Sequence, residues 1–376
     1  MSRTDEQLLD LFLQLVRTPS PSGSERAVAD LVLQHLRAAG LEPFEDDSAG
    51  QTGAGSGCIH VVVSGGGHGT PILLCAHMDT VTVAGPIMPM VADGVVRSDG
   101  STILGADDKT AVAVLLALLA DLAAQPPAGR VEALFTTCEE TGLHGAKAFD
   151  MVRTQAAAGF VLDSSGPVGQ VIVSAPSQRG ITAEFHGVAA HAGIEPERGR
   201  SAIAAAARAI AGMQLGRIDE MTTANVGIIR GGAAGNIVPE YCVIEGEARS
   251  RDAARLAAQV QRMLDAIALG ATEAGVDVTT SVQQEYESFV MAEDALPARI
   301  AAEALRDMGI EPRFVGTGGG SDVNVFNARG LPSVNLSAGY EKVHTPAEYM
   351  PLYGLRQAYD FAGALVAVAG RTPADS

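Results

Sequence analysis

The chain has 376 residues, 47 % of them hydrophobic and 4 % aromatic with no Trp, which is room for two domains or for one large domain with an insertion. Its formal net charge of −18 excludes a nucleic-acid partner, which needs a basic face, and argues equally against an anionic membrane surface. It suits a soluble cytoplasmic protein that attracts cations.

The N-terminal stretch carries acids among its leucines and reads as an amphipathic helix over Asp5–Val16, without the unbroken apolar run of a signal peptide. "TPSPSGSE" (Thr18–Glu25) reads as a turn and N-cap leading into a second helix over Ser24–Ala39. Strands are expected at Ile59–Val63 and Ile72–Ala76, with the glycine-rich Ser64–Gly69 between them. No helix follows those glycines, so they are not a dinucleotide fingerprint. An Ala/Leu helix spans Thr110–Ala124. Its apolar block, Ala111–Ala120, has about ten residues and is too short to cross a bilayer. Strands at Val131–Thr136 and Gly159–Leu162 continue a β/α alternation that places helices on both faces of a sheet. The cysteines Cys58, Cys75, Cys138 and Cys242 have no CxxC spacing and read as buried free thiols.

The pattern changes near Pro176. A strand-like alternation over Ile181–Ala189 is followed by a helix (Ser201–Met213), two further strands, a long amphipathic helix (Asp252–Ala274) and a strand (Val276–Glu285). That β-α-β-β-α-β order is ferredoxin-like. From Phe289 the α/β style returns, with a helix over Leu296–Met308, a strand in "LPSVNLS" and a C-terminal helix. The expected architecture is therefore an α/β domain (1–176 and 289–376) interrupted by an α+β domain (177–288).

Polar clusters recur where the strands stop. "PILLCAHMDTV" ends an apolar run on His77, with Asp79 two places on and on the same face of a strand. "GADDK" places Asp107 and Asp108 before a helix, "TTCEETG" ends a strand on Glu139 and Glu140, "VLDSSG" ends one on Asp163, and "EKVHTPAE" carries His344. Singly, each is explained as a helix cap or a solvated strand end. Together they fall at the carboxyl ends of candidate parallel strands, where open α/β sheets build their sites. Histidine with Asp and Glu but no Cys suits a hydrolytic zinc, cobalt or manganese site. A spare Glu beside a ligand Glu supplies the base that an activated water needs.

With "HMDTV", "GADDKTAV", "CEETGLHGA", "VLDSSG", "HAGIEPERGRSAI", "GNIVPE", "GTGGGSDVNVFNARGLPSVNL" and "VHTPAEYM" in this order, the chain resembles the co-catalytic dizinc exopeptidases and amidohydrolases. That group includes peptidase T, glutamate carboxypeptidase, aminoacylase and succinyl-diaminopimelate desuccinylase, and the nearest likeness is to peptidase T, through "GADDK" and "EETGLHGAK". The resemblance implies a mixed, mostly parallel sheet flanked by helices, of zinc-exopeptidase type, with the inserted domain as lid and homodimerisation surface. It implies two divalent metal ions per chain, zinc before cobalt or manganese. His77, Asp107 and Asp163 would bind one, and Asp107, Glu140 and His344 the other. Glu139 would be the general base, Asp79 the holder of His77, and His191 the stabiliser of the oxyanion. Asn236, Arg249, Gly318 and Gly319 would meet a short peptide substrate.

The activity so implied is an aminopeptidase acting on tripeptides, favoured over a carboxypeptidase or N-acyl-amino-acid amidohydrolase because Asp, not Glu, stands at position 163. A metal-free binding protein on the same fold is the remaining alternative. It would be expected to have lost a ligand or Glu139, and all are present.

Overall fold

The computed structural model describes residues 4–83 and 85–373. The chain divides into two compact units, one of residues 1–173, 290–316 and 321–376, the other of residues 174–289 and 317–320.

The first unit opens with two amphipathic helices, α1 (Asp5–Arg17) and α2 (Arg26–Ala38). In α1, Leu8, Leu11, Phe12 and Leu15 recur at the spacing of one helix face and are buried, and Thr4 caps the first turn in a capping box with Gln7. The sequence expectation for α2 needs correction. The residue at its N-cap is Glu25, which makes no side-chain cap bond because its carboxylate is used elsewhere.

Next come β1 (Ile59–Ser64), β2 (Ile72–His77) and α3 (Ala106–Ala124), then β3 (Arg130–Thr136), β4 (Ala158–Ser164) and β5 (Gln170–Ala175). After the second unit the chain adds α4 to this unit at Leu296–Asp307, α5 at Asp322–Ala328, β6 at Ser333–Ser337 and α6 at Leu352–Arg371. The sheet is mixed and runs β1-β3-β2-β4-β6-β5 through its centre. The pairs β3/β2, β2/β4 and β4/β6 are parallel, while β1 and β5 join antiparallel. All six residues of β2 are buried, as the middle of a covered parallel sheet requires. Helix α3 is buried on all sides from Ala106 to Leu119, which its uniformly apolar sequence demands. No helix of the described residues is long and apolar enough to cross a membrane. All four cysteines are buried and free.

One polar residue inside this core carries a stability prediction. The Glu132 carboxylate on β3 is fully buried and accepts from His60 Nε2 (2.8 Å), Arg130 Nε (2.7 Å) and the Gln155 amide (2.8 Å). Burial alone would raise its pKa, but His60 and Arg130 hold it down at about 2. A depressed folded-state value stabilises the fold above the unfolded pKa, near 4.3, and that contribution is lost as pH falls toward about 2. It amounts to about 3 kcal/mol. Urea unfolding of the wild type and of Glu132→Gln should show a constant stability gap from pH 7 to pH 5 that narrows below pH 4.5. A gap unchanged at pH 3 would rule out this role.

The second unit is an antiparallel sheet with two helices on one face. Its strands are Ser177–His186, Thr222–Gly231, Tyr241–Ser250 and Asp277–Tyr286, with the short Gly216–Arg217 at one edge. Taken as first to fourth in the chain, the four long strands lie in the order second-third-first-fourth. Alternate residues of the first and third, Ile181, Ala183, Phe185, Cys242, Ile244 and Ala248, pack under the helices Ala202–Gly212 and Ala253–Ala274. Those helices cross at Gly270, where a Cβ would lie 2.7 Å from the Ala209 nitrogen, so only glycine fits.

Candidate metal centre

The clusters of the first unit converge on one edge of its sheet. β2 ends on His77, β3 runs into Glu139 and Glu140, β4 carries Asp163 at its carboxyl end, and the loop after β6 carries His344. Asp107 and Asp108 precede the regular part of α3, both with non-helical backbone angles. His344 and Cys138 adopt left-handed backbone (φ 62° and 50°), a strained conformation that nothing in the sequence pattern signals.

Asp107 lies between the two histidines. Its Oδ1 is 3.2 Å from His77 Nε2, and its Oδ2 is 3.3 Å from His344 Nε2. Asp163 Oδ1 joins the His77 side at 3.8 Å, and Glu140 Oε1 joins the His344 side at 3.0 Å. Asp108 has an oxygen within 4.8 Å of oxygens of Asp107 and Asp163. Its Oδ2 accepts from the main-chain N–H of His77 (3.2 Å), and its Oδ1 is buried with no hydrogen-bond partner in the protein. Glu139 has a carboxylate oxygen within 4.8 Å of ligand atoms of His77 and Asp163.

His77 tests whether cations fit here. Its Nδ1 is 3.0 Å from the Asp79 carbonyl oxygen, which only accepts, so the ring proton sits on Nδ1. Its Nε2 then faces carboxylate oxygens with no proton to give unless the ring is cationic. Burial works against charging the ring, but Asp107, Asp163 and Asp79 raise its pKa well above the usual histidine value, so in the bare fold Nε2 keeps a proton where a divalent cation would bind. The sequence expectation had the Asp79 side chain gripping this ring; the carbonyl is the nearer group, with the carboxylate at 3.5 Å. That carboxylate also accepts from the amides of Glu139 (3.0 Å) and Glu140 (3.2 Å) and from the Ser22 hydroxyl (2.6 Å).

The electrostatics agree. Burial, then the crowding of like charges, pushes Asp163 up to about 7 and raises Glu139 well above the usual carboxylate range. The hydrogen bonds of Asp107 and Glu140 lift His344 to about 10. So many buried acids cannot all stay ionised without added positive charge. Nitrogen and oxygen donors without thiolate suit zinc, cobalt or manganese.

Tyr340 and Glu348 escaped the sequence reading, and Lys109 entered it only as the end of "GADDK". Tyr340, fully buried, has its hydroxyl 3.3 Å from both Asp107 Oδ1 and Asp163 Oδ1. Glu348 accepts from the amides of Leu104, Gly105 and Asp107 at 2.8–3.0 Å and so holds the loop that delivers Asp107. Lys109, fully buried, donates to the Thr18 carbonyl. Tyr340 and Glu348 stand four residues on either side of His344, but without the fold nothing marks them as different from other residues of a surface loop.

The other predicted residues lie in the second unit. His191 pairs with Ile237 in a short two-stranded sheet, and the Ala192 amide donates to the Asn236 carbonyl (2.9 Å), so His191 and Asn236 are brought together. The Gly193 amide donates to His191 Nδ1 (3.2 Å), so a neutral ring carries its proton on Nε2 and donates from there. Arg249 is paired with Glu247 through Nε and Nη2, each at 2.9 Å, and a substrate carboxylate would compete with that pair. Of the glycine run, Gly320 is explained by packing, since a Cβ there would lie 2.2 Å from the Tyr286 ring. At Gly318 a Cβ would meet nothing within 4 Å, so protein packing does not demand glycine there.

Residues 73–368 match the family described as peptidase family M20/M25/M40. An uncharacterised protein of Bacillus subtilis, YqjE, is 38 % identical over 368 residues, covering 98 % of this chain and 99 % of the relative. A solved tripeptidase from Staphylococcus aureus is 37 % identical with a TM-score of 0.89, covering 98 % of this chain and 99 % of that one. The solved aminopeptidase PepT from Bacillus cereus is 38 % identical with a TM-score of 0.83 over the same shares.

Proposed function

The chain belongs to the peptidase family M20/M25/M40 and is a metallopeptidase, and from that premise we propose that it is a dinuclear-metal aminopeptidase releasing N-terminal residues from tripeptides. One observation carries the dinuclear reading. The two oxygens of Asp107 each face a different histidine, and each histidine has one further carboxylate beside it. His77, Asp163 and Asp107 would hold one cation, and Asp107, Glu140 and His344 the other, with Asp107 shared. The tripeptidase and aminopeptidase descriptions of the two solved relatives support the substrate class.

Two bound cations would polarise a peptide carbonyl and lower the pKa of water toward about 7. The protein's own groups do the rest. The Glu139 carboxylate removes the proton of the attacking water and returns it to the amide nitrogen as the C–N bond breaks. Burial and the Asp163 charge raise its pKa in the bare fold, and two bound cations would draw it back down and leave a carboxylate free to take that proton. The Asp79 carboxylate fixes the backbone of Glu139 and Glu140, and its carbonyl fixes the His77 ring. His191 would donate from Nε2 to the carbonyl oxygen as charge develops there, with Asn236 and Arg249 as contacts to the substrate backbone. The reading includes a cytoplasmic homodimer joined through the second unit, which sedimentation and cell fractionation test.

Purified protein loaded with zinc, cobalt or manganese should release free N-terminal residues from unblocked tripeptides and leave acylated amino acids intact. His191→Ala should lower turnover by about 10²–10³-fold with metal content unchanged. Preference for acylated substrates would overturn the aminopeptidase reading in favour of a deacylase.

A further inference from the structure

The segment between α1 and α2, an ordinary turn by its sequence, is bonded throughout to the residues around the metal centre. Ser20, Pro21 and Ser22 lie alongside residues 78–80 as a short parallel bridge. The Thr80 amide donates to the Ser20 carbonyl (2.9 Å), and the Ser22 amide donates to the Thr80 carbonyl (3.1 Å). The Ser20 hydroxyl donates to the Met78 carbonyl (2.8 Å), and the Ser22 hydroxyl to Asp79 Oδ2 (2.6 Å). Glu25, fully buried, extends the contact to the next loop. Its Oε1 accepts from the Cys138 amide and thiol, both at 3.2 Å, and from the Gly23 amide (2.9 Å), while Oε2 accepts from the Gly55 amide (2.6 Å).

We propose that two residues of this segment, Ser22 and Glu25, are positioning residues of the metal centre: Ser22 fixes the Asp79 carboxylate, and Glu25 fixes the turn carrying Glu139 and Glu140. The proposal rests on the metal-centre reading above. Asp79 is fully buried. Its charge is met by two amides, the Ser22 hydroxyl and the His77 ring at 3.5 Å, and Ser22 supplies the shortest of those contacts. Buried anions that lose a donor shift toward whatever donor remains. Here the shift would carry both the His77 ring, held by the Asp79 carbonyl, and the Glu139–Glu140 amides. Ser22 and Glu25 touch neither cation nor substrate; they act through Asp79 and Cys138. Partners one bond removed from metal ligands typically change affinity or activity by about 10–100-fold when lost.

The decisive experiment is a cobalt(II) titration of the full chain followed by its visible spectrum, with turnover of an unblocked tripeptide measured on the same samples. Ser22→Ala should weaken cobalt binding by about 10–100-fold and lower kcat with KM little changed. Ser22→Thr, which keeps the hydroxyl, should restore both. Ser24→Ala, at an exposed neighbour, serves as the control for a general effect of the loop. Equal cobalt affinity and kcat in Ser22→Ala and wild type would overturn the proposal. So would a loss matched by a fall in thermal midpoint and not relieved by Ser22→Thr. If the wild type binds cobalt but leaves tripeptides intact, the aminopeptidase reading fails and the cobalt titration still decides the role of Ser22.

Discussion

Glu139→Gln should lower turnover by about 10²–10⁴-fold and leave metal content unchanged. The substitution keeps the shape of the side chain and removes its capacity to take a proton. It leaves untouched the Glu139 amide, which donates to Asp79 at 3.0 Å and keeps the turn in place. Glu140→Gln should behave differently. Its carboxylate is 3.0 Å from His344 Nε2, on the side proposed for the second cation, so weakening that donor lowers metal content first and turnover as a consequence. The comparison is sharp because Glu139 also lies within 4.8 Å of ligand atoms of His77 and Asp163 and is near enough to be mistaken for a ligand. Turnover and atomic-emission metal content on the two variants decide between base and ligand. Exchanged phenotypes would reverse the assignment within the pair.

The largest effect on metal content is expected from Asp107→Ala. In the proposed site every other candidate ligand would serve one cation, whereas the two oxygens of Asp107 face the two histidines separately. Removing it should weaken both binding steps by more than the 10–100-fold typical of an outer partner and bring the stoichiometry at micromolar metal from two toward zero. Asp163→Ala should weaken mainly the step involving His77. Calorimetric titration separates the two steps. One cation held at wild-type affinity in Asp107→Ala would mean that this carboxylate is not shared.

Much of this was legible in the sequence, for identifiable reasons. Apolar runs that stop on acids and histidines announce strand ends at a site, because buried strands tolerate such residues only where the chain leaves the core. The order of helices and strands from Ser177 to Tyr286 announced a ferredoxin-like unit, and the structure has its strand order. The resemblance implied Asp107 as the shared ligand, and the two oxygens of Asp107 lie 3.2 and 3.3 Å from the two imidazoles. What stayed hidden depends on contacts between distant positions. Glu25 reads as a helix cap until its carboxylate is seen bonding Cys138, 113 residues away. Tyr340 and Glu348 read as loop residues until the chain returns them to Asp107, 233 and 241 residues earlier. The Arg249–Glu247 pair could have been read from the alternation of a strand, since residues two apart share a face.

The candidate ligands stand at positions 77, 107, 140, 163 and 344, on segments that meet only in the folded chain. A cation held by Asp107, Glu140 and His344 would be a cross-link, closing a loop that runs from Asp107 to His344 through well over half of the sequence. Such closures withdraw conformational freedom from the unfolded chain, and the more so the longer the loop. Binding free energy at these positions is therefore also folding free energy. The acids that repel one another in the bare fold then hold its most distant segments together through the ions they bind. The molecule's durability becomes a function of the free metal around it, so that starvation for metal threatens its survival as well as its chemistry.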